Sequence, residues 1–153
     1  AIAYGVEFFL RRKISRDVSG WISYTLGQAQ ADSGPEVIGV FRPDFDVRHV
    51  LNLVAKWRIW RGLEVGGRFQ ARSGRMIEQT NPRYEQRLPW FVRADMRVGY
   101  SFDTRLAEMV VYFEWLNMLV RREYLDADCF FGQCRATAAP PISIPNLGIR
   151  AQF

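Results

Sequence analysis

The chain has 153 residues, enough for a single domain that covers residues 1–153. Hydrophobic residues make up 48% of the chain, but no apolar run reaches the ~18 residues that a transmembrane helix needs, which excludes a helical membrane protein. The net charge of +5 is spread along the chain without a block of Lys and Arg, so we expect no nucleic-acid partner.

The first two predicted elements are strands joined by a tight connection. Residues 4–14 alternate between an apolar set and a polar set, except that Phe9 falls in the polar set. Residues 20–28 alternate in the same way, after a turn at residues 15–19. Because successive side chains of a strand point to opposite faces, these two segments are predicted to form an antiparallel pair.

A second pair of strands is predicted after a long loop at residues 29–46. Residues 47–60 and residues 63–73 both alternate, and Arg61-Gly62 between them indicates a tight turn. The apolar residues recur at a spacing of two, and not at three and four, so a helix is excluded for these segments.

The last three strands are predicted at residues 90–102, 106–119 and 144–153. Long polar loops at residues 74–89 and 120–143 precede the first and the third of them. The seven strands are therefore joined by connections that alternate between short and long. Up-and-down membrane barrels have this arrangement, with short turns at the periplasmic rim and long loops outside the cell.

The alternation by itself fits two kinds of barrel, because a soluble barrel turns its apolar face inward and a membrane barrel turns it toward lipid. The predicted strands are longer than the usual globular strand of about 5–6 residues, and they match a tilted membrane crossing. Aromatic residues also border the connections, as the interfacial girdles of a membrane barrel require. These residues are Trp21, Trp60, Tyr100 and Phe102 beside short turns, and Trp90 beside a long loop.

The predicted fold is therefore all-β: an antiparallel, up-and-down transmembrane β-barrel segment of about seven strands. It has three long extracellular loops and short periplasmic turns. A soluble ligand-binding barrel is the alternative, and it requires Leu53, Trp57, Phe69 and Phe113 to pack inward.

The two ends of the chain both lie in predicted strands. The chain opens in a strand without a signal peptide, so we expect it to be part of a longer protein. It stops at Phe153, which the parity of the connections places at the periplasmic rim. A terminal aromatic residue on the last strand is typical of outer-membrane barrels, and Phe153 is predicted to be a C-terminal assembly signal.

The two cysteines, Cys129 and Cys134, have four residues between them in the third long loop, in CFFGQC. A local disulfide in an exposed loop is the simplest interpretation, and it fits an oxidising compartment. A metal site would need more ligands, and His49 is far away in sequence, so no metal and no cofactor is expected. We interpret His49 as a polar residue near the extracellular end of its strand.

No catalytic motif is present, so the chain is not expected to be an enzyme. The sharpest functional feature is a set of arginines on the polar face, which would point into the lumen of a barrel. They form either an electropositive wall for an anionic substrate or ion pairs with Glu7, Asp95 and Glu114, or with acidic residues of a plug domain. The predicted basic wall consists of Arg58, Arg68, Arg72, Arg93, Arg97 and Arg150.

The long loops carry the other candidate ligand-contacting residues, because binding residues concentrate on loops held by a rigid scaffold. The alternative is a solvated loop that serves only as a lid. The candidates are Arg83, Tyr84, Arg87, Arg121, Arg122, Tyr124, Phe130 and Phe131.

Several segments, in their order along the chain, resemble the C-terminal barrel region of TonB-dependent outer-membrane receptors. They are YGVEFFLRR, GWISYTLGQAQ, FDVRHVLNLVAKWRIWRGLEVGGRFQARSG, VRADMRVGYSF, VVYFEWLNML and the terminal LGIRAQF. The chain departs from the family at NMLV, where an Asn-apolar-aromatic-Asn ending is common. The resemblance implies the last third of a 22-stranded barrel that is filled by an N-terminal plug domain.

The resemblance also implies a location in the bacterial outer membrane and a role in the uptake of a scarce nutrient, such as a ferric siderophore. The implied partners are outer-membrane lipid, the remaining barrel strands and the plug in the same or a separate chain, the barrel-assembly machinery, and TonB through the missing part. The alternative is a small standalone or barrel-completing outer-membrane subunit with a structural or accessory role in a larger complex.

Overall fold

The computed structural model describes residues 1–32, 40–80, 83–130 and 133–152. Within these ranges the backbone alone is described for residues 32, 40, 41, 78–80, 83–86, 129, 130, 133 and 134. The described residues form twelve strands and no helix. The strands are β1 (Ile2–Lys13), β2 (Val18–Asp32), β3 (Val40–Phe41), β4 (His49–Trp60), β5 (Leu63–Arg72), β6 (Met76–Thr80), β7 (Arg83–Arg87), β8 (Phe91–Asp103), β9 (Glu108–Leu116), β10 (Tyr124–Phe130), β11 (Gln133–Ala138) and β12 (Ile144–Gln152).

Seven long strands form one antiparallel sheet in the order β1-β2-β4-β5-β8-β9-β12. Each strand is hydrogen-bonded to the long strand that comes next along the chain, so the sheet is an up-and-down meander. The prediction of an all-β antiparallel sheet of about seven strands is confirmed. The sheet is open: among the described residues, β1 pairs only with β2 and β12 pairs only with β9.

The three short connections are held by local hydrogen bonds. Ser15 Oγ accepts from the backbone N–H of Val18 at 3.0 Å, and Thr104 Oγ1 accepts from the N–H of Ala107 at 3.1 Å. At the middle connection Gly62 has a φ of +80°, which favours glycine because a Cβ would clash in this conformation. A Cβ on Gly62 would also meet the carbonyl oxygen of Ser101 at 2.2 Å.

The long connections contain more strand than the sequence predicted. Residues 74–89 and 120–143 were expected to be polar loops, but β6 pairs with β7 and β10 pairs with β11 in two separate hairpins. In the first long connection, the two residues of β3 pair with Ala31 and Asp32 at the end of β2. The first hairpin was missed because its strands, MIEQT and RYEQR, lack the alternating apolar set by which the long strands are recognised.

The sheet has one apolar face and one polar face. Directly opposite residues share a face, so the strand register shows the composition of each face. One row across six strands is apolar throughout: Val18, Trp57, Val65, Val98, Phe113 and Leu147. A row on the other face, across all seven strands, is mostly polar: Lys13, Ser19, Lys56, Gly66, Arg97, Glu114 and Asn146.

Among the described residues, the buried side chains lie at the end of the sheet that carries the long connections. The apolar face is largely exposed along the strands, with Leu147 73% and Trp57 53% accessible. An apolar face in water loses the stabilisation that burial provides, so the exposed face needs a nonaqueous neighbour or a partner. The buried side chains at the long-connection end include Ala29, Asp46, Ala71, Ser73, Met76, Leu88, Asn117 and Ala127.

Candidate functional site

The polar face of β4, β5, β8, β9 and β12 encloses a concavity of about 770 Å³. Five of the six arginines of the predicted basic wall line it together, from four different strands. Four carboxylates line the same concavity, so the surface has mixed charge rather than a purely basic character. The arginines are Arg58, Arg68, Arg93, Arg97 and Arg150, and the carboxylates are those of Glu64, Asp95, Glu108 and Glu114.

Part of this charge is neutralised by ion pairs within the concavity. Lys56 Nζ lies 2.6 Å from Glu64 Oε2, and Arg93 Nε donates to Asp95 Oδ1 at 2.7 Å. The first pair is more than a third exposed, so solvent screens it and its contribution to stability is small. The two ion pairs therefore determine how charge is distributed over the polar face more than they stabilise the sheet.

Arg97 is held over an aromatic ring on the polar face. Its guanidinium carbon lies 4.2 Å from the centre of the Tyr112 ring, a cation–π geometry. The ring of Tyr112 in turn lies across Gly148 on β12, where a Cβ would come within 2.4 Å of it. The absence of a side chain at Gly148 thus allows Tyr112 to lie flat on the sheet and to fix the direction of Arg97.

Arg72, the sixth predicted wall residue, does not line the concavity. It forms an ion pair with Glu123, which lies just before β10, and its guanidinium carbon lies 5.1 Å from the centre of the Phe91 ring. Arg75 Nη2 also donates to the carbonyl oxygen of Leu125 at 2.9 Å. Arg72 therefore joins the long-connection end of β5 to the third long connection.

The first and second long connections are joined by a buried carboxylate. Asp46 is 1% exposed; its Oδ1 accepts from the backbone N–H of Ala29 at 2.8 Å, and its Oδ2 accepts from Arg87 Nη2 at 2.6 Å. Arg87 Nη1 donates to the carbonyl oxygens of Asp46 and Gly74, at 2.9 and 2.8 Å. We call these four residues the Asp46 clasp.

The clasp changes the acidity of its carboxylate. Burial by itself would raise the pKa of Asp46, but the N–H of Ala29 and the bond and charge of Arg87 stabilise the ionised form, and the charge of Arg48 adds to them. Together they hold the pKa of Asp46 below its ordinary value of 3.8. The carboxylate is therefore ionised at neutral pH, and each of its oxygens has a donor.

Asn117 organises the start of the third long connection. It has a φ of +51°, in the left-handed region that Asn tolerates better than most residues. Its backbone N–H donates to Asp95 Oδ1 at 2.8 Å, and its Nδ2 donates to the carbonyl oxygens of Arg121 and Ile142, both at 3.0 Å. Its Oδ1 accepts from the N–H of Arg121 at 3.1 Å. The side chain of Asn117 thus joins the two ends of this connection, and its backbone N–H joins them to the polar face of β8.

The predicted loop contacts fall in different places. Arg87 is part of the Asp46 clasp, Arg121 and Arg122 are exposed, and Tyr124 begins β10 and is partly buried. The backbones of Arg83 and Tyr84 lie in β7 and that of Phe130 ends β10, but their side chains lie outside the described part of the chain. Phe131 and the predicted assembly signal Phe153 lie outside the described residues altogether.

His49 begins β4 at the long-connection end, in an aromatic cluster with Tyr24 and Trp90. Its ring is stacked on Trp90 with 5.7 Å between the ring centres, and its Nδ1 lies 2.8 Å from the hydroxyl oxygen of Tyr24. His49 lies opposite Leu26 and Tyr24 lies opposite Leu51, so the pair belongs to the apolar face. It is therefore part of an aromatic border of that face.

Sequence reasoning missed Asp46 and Asn117 as organising residues. Asp46 bonds to Arg87, 41 positions further along the chain, and no local pattern reports such a pair. Asn117 had one local signal, because it interrupts an apolar run at the end of a predicted strand, where a left-handed turn is common for Asn.

Cys129 and Cys134 lie directly opposite each other in the β10–β11 register. Opposite residues of an antiparallel pair have Cα atoms about 4.5–5.5 Å apart, within the range that a disulfide spans. Their side chains lie outside the described part, so the disulfide stays a prediction. Within the described residues, no three His, Cys, Asp or Glu side chains come together as a metal site would require.

The described residues form no helix that is long and apolar enough to cross a membrane. No family model, curated protein or solved structure matches this chain. Its function is therefore inferred from the arrangement of its residues.

Proposed function

We propose that the chain is a section of a bacterial outer-membrane β-barrel and, more specifically, the C-terminal barrel region of a TonB-dependent receptor that takes up a scarce nutrient. The observation that carries the proposal is the two-faced meander, with an exposed apolar face, a charged concave face, and connections that alternate between short and long. Lipid would cover the apolar face and water would fill the lumen on the other side.

Aromatic residues at both borders of the apolar face support the membrane location. Tyr24, His49 and Trp90 cluster at the long-connection end, and Tyr100 and Phe102 stack at the short-turn end with 6.1 Å between ring centres. Trp90 and Tyr100 are ten residues apart. That spacing is roughly 34 Å along a strand and about 25 Å across a membrane crossed at about 45°, the height of the apolar band of outer-membrane barrels.

The open edges support a role within a larger barrel. The outer edges of β1 and β12 have no partner strand among the described residues. In lipid each unsatisfied backbone group costs several kcal/mol, so an open seven-stranded sheet is not stable there. Further strands, from the same or a separate chain, would close the barrel.

The concave face supports a lumen that handles charged solutes. Arginines and carboxylates alternate around the 770 Å³ concavity, which suits a water-filled passage better than a closed apolar pocket. Its lining carries six basic and four acidic side chains, so a small excess of positive charge favours anionic substrates such as ferric siderophores.

The second candidate is a barrel-completing subunit with a structural role. The same open edges favour this role, since the outer edges of β1 and β12 are both available for pairing with another chain. It differs from a receptor in having no plug domain and no TonB-binding segment in the same gene.

A topology experiment in the bacterium tests the membrane proposal. A protease site inserted in the β10–β11 hairpin should be cleaved when intact cells are treated with protease, because the long connections are expected outside. The same site inserted in the turn at residues 103–107 is the matched control, and it should be cleaved only after the outer membrane is opened. Cleavage of both sites in intact cells, or recovery of the protein in the soluble fraction, would refute the outer-membrane orientation.

A growth experiment separates the receptor from the barrel-completing subunit. Deletion of the gene, and separately of TonB, should each reduce growth on the same limiting nutrient without an additive effect in the double deletion. If deletion of the gene weakens the membrane barrier but leaves nutrient uptake unchanged, the structural role is correct and the receptor proposal is wrong.

A further inference from the structure

A second concavity of about 550 Å³ lies at the short-turn end of the sheet. It is formed by β1, β2, β4 and the turn between β1 and β2. The N–H of Arg58 donates to the carbonyl oxygen of Asp17 at 2.7 Å, so this turn is fixed against β4. We call this concavity the rim pocket.

The rim pocket is strongly basic. Six basic residues line it against a single acidic residue, Asp17. Within the described part of the chain, only one of the six has an ion-pair partner, which is the Lys56–Glu64 pair. The six are Arg11, Arg12, Lys13, Arg16, Lys56 and Arg58. The larger concavity has nearly balanced charge, so the positive potential of the concave side is concentrated at this rim.

An aromatic pair lies beside these charges on the polar face. Phe9 is 59% exposed and its ring centre lies 5.9 Å from that of Trp21, which lines the pocket. Phe9 is the residue that breaks the polar set of the first strand. A large aromatic side chain that is exposed among charges, as Phe9 is, marks a surface that a partner covers.

We propose that the rim pocket docks an acidic polypeptide segment that carries an apolar side chain among its carboxylates. The carboxylates would pair with the guanidinium groups, which bind them in a planar, two-bond geometry. The apolar side chain would cover Phe9 and Trp21. A small free anion would satisfy the charges, but it would leave the aromatic pair in water, and for that reason we favour a polypeptide.

The proposal does not depend on the membrane location or on a receptor function. It uses only side chains of β1, β2 and β4 and their first turn. A soluble or a membrane-bound sheet would present the same pocket, so failure of one proposal leaves the other standing.

The experiment measures binding of a fluorescently labelled acidic peptide, with one Leu between Glu and Asp residues, to the full chain in a zwitterionic detergent. Replacing Arg11 and Lys13 together by Gln should weaken binding about tenfold, because two central charges are lost. The matched control is the double variant Arg61→Gln with Arg105→Gln, which removes two exposed charges of the same rim outside the pocket. It should change the dissociation constant less than twofold.

A double-mutant cycle tests the aromatic contact. Phe9→Ser should weaken binding of the Leu peptide about threefold and should have no effect on a peptide with Ser in place of Leu. If the Arg11 and Lys13 double variant does not fold, Arg16→Gln in the exposed turn tests the same pocket.

Three results would overturn the proposal. Inorganic pyrophosphate that displaces the peptide at equal concentration, with no effect of Phe9→Ser, would make the pocket a small-anion site. An equal loss of binding in the Arg61 and Arg105 control would reduce the effect to general rim charge. Equal binding of a peptide with Gln and Asn in place of the acids would remove the electrostatic basis.

Discussion

At the scale of single residues, a few polar side chains organise the long-connection end of the sheet. Arg87 and Asn117 each make several side-chain hydrogen bonds to backbone groups, and Asp46 binds one backbone N–H and the guanidinium of Arg87. These groups would be left without partners if the side chains were removed. An unsatisfied buried group costs more than an average hydrogen bond contributes, so such residues have large effects when they are changed.

The Asp46 clasp is the first test at this scale. Asp46→Asn should lower the free energy of unfolding by about 1–3 kcal/mol at pH 7, because the neutral amide cannot replace a carboxylate that accepts from both Ala29 and Arg87. Asp44→Asn is the matched control, since Asp44 is exposed in the same connection and should have little effect. Urea unfolding in detergent micelles, followed by Trp fluorescence, measures both.

The effect of Asp46→Asn should also depend on pH. The folded-state pKa of Asp46 lies below the unfolded value of 3.8, so the contribution of the carboxylate is fully present above 3.8 and is lost as the pH falls through the lower folded value. The difference in stability between the natural protein and the variant should therefore shrink below about pH 4. A difference that grows as the pH falls would contradict the assigned role.

At the scale of elements, the third long connection is held to the sheet by Asn117. Asn117→Gly keeps a residue that tolerates the left-handed backbone but removes the side-chain bonds to Arg121 and Ile142. We expect this change to speed limited proteolysis of residues 118–143 by roughly tenfold or more, which corresponds to a loss of about 1.4 kcal/mol in local stability. Asn117→Ala should have a larger effect, because it adds backbone strain.

The control for this element is Arg122→Ala, at an exposed position of the same connection. It should leave the cleavage rate within twofold of the natural protein. Faster cleavage everywhere in the chain, rather than in the third connection, would show that Asn117 supports the whole sheet.

The seven long strands were predictable because their apolar face repeats every two residues, and β4 is the clearest example, with Leu51, Leu53 and Ala55 on one face. The hairpin β6–β7 was not predictable, since polar side chains on both faces hide the period. β10 does alternate, with Leu125 and Ala127 on one face, but it is only seven residues long. Five arginines of the predicted wall do share one concavity, because they belong to one face of neighbouring strands. Arg72 pairs with Glu123 and Arg87 pairs with Asp46, both at the long-connection end of the sheet. These pairs were not predictable, because the partners are distant in sequence.

At the scale of the whole molecule, the two faces should respond in opposite ways to the same charge. Leu53 lies on the apolar face near the middle of β4, and its neighbour Asn52 lies on the polar face. Leu53→Arg should lower folding into lipid bilayers by about 2–4 kcal/mol, the cost of Arg near the bilayer midplane. Asn52→Arg should be nearly neutral, since its side chain would enter the lumen.

Folding into vesicles is measured by the fraction of protein that keeps its folded mobility on an unheated denaturing gel. The two variants carry the same added charge at adjacent positions, so the comparison removes effects of net charge. A loss for Asn52→Arg that equals or exceeds the loss for Leu53→Arg would contradict the assignment of Leu53 to the lipid-covered face.

The uneven distribution of buried contacts has a mechanical consequence. The long-connection end is fastened by the buried Asp46 and Asn117 and by the Arg72–Glu123 pair. Toward the short-turn end, the side-chain contacts between strands in the described part of the chain are at least partly exposed, as in the Lys56–Glu64 pair and the Phe9–Trp21 contact. The backbone ladders continue up to the short turns and fix the spacing of neighbouring strands at both ends of the sheet. Local opening should therefore begin at the rim that bears the basic pocket, where fewer side-chain bonds must break.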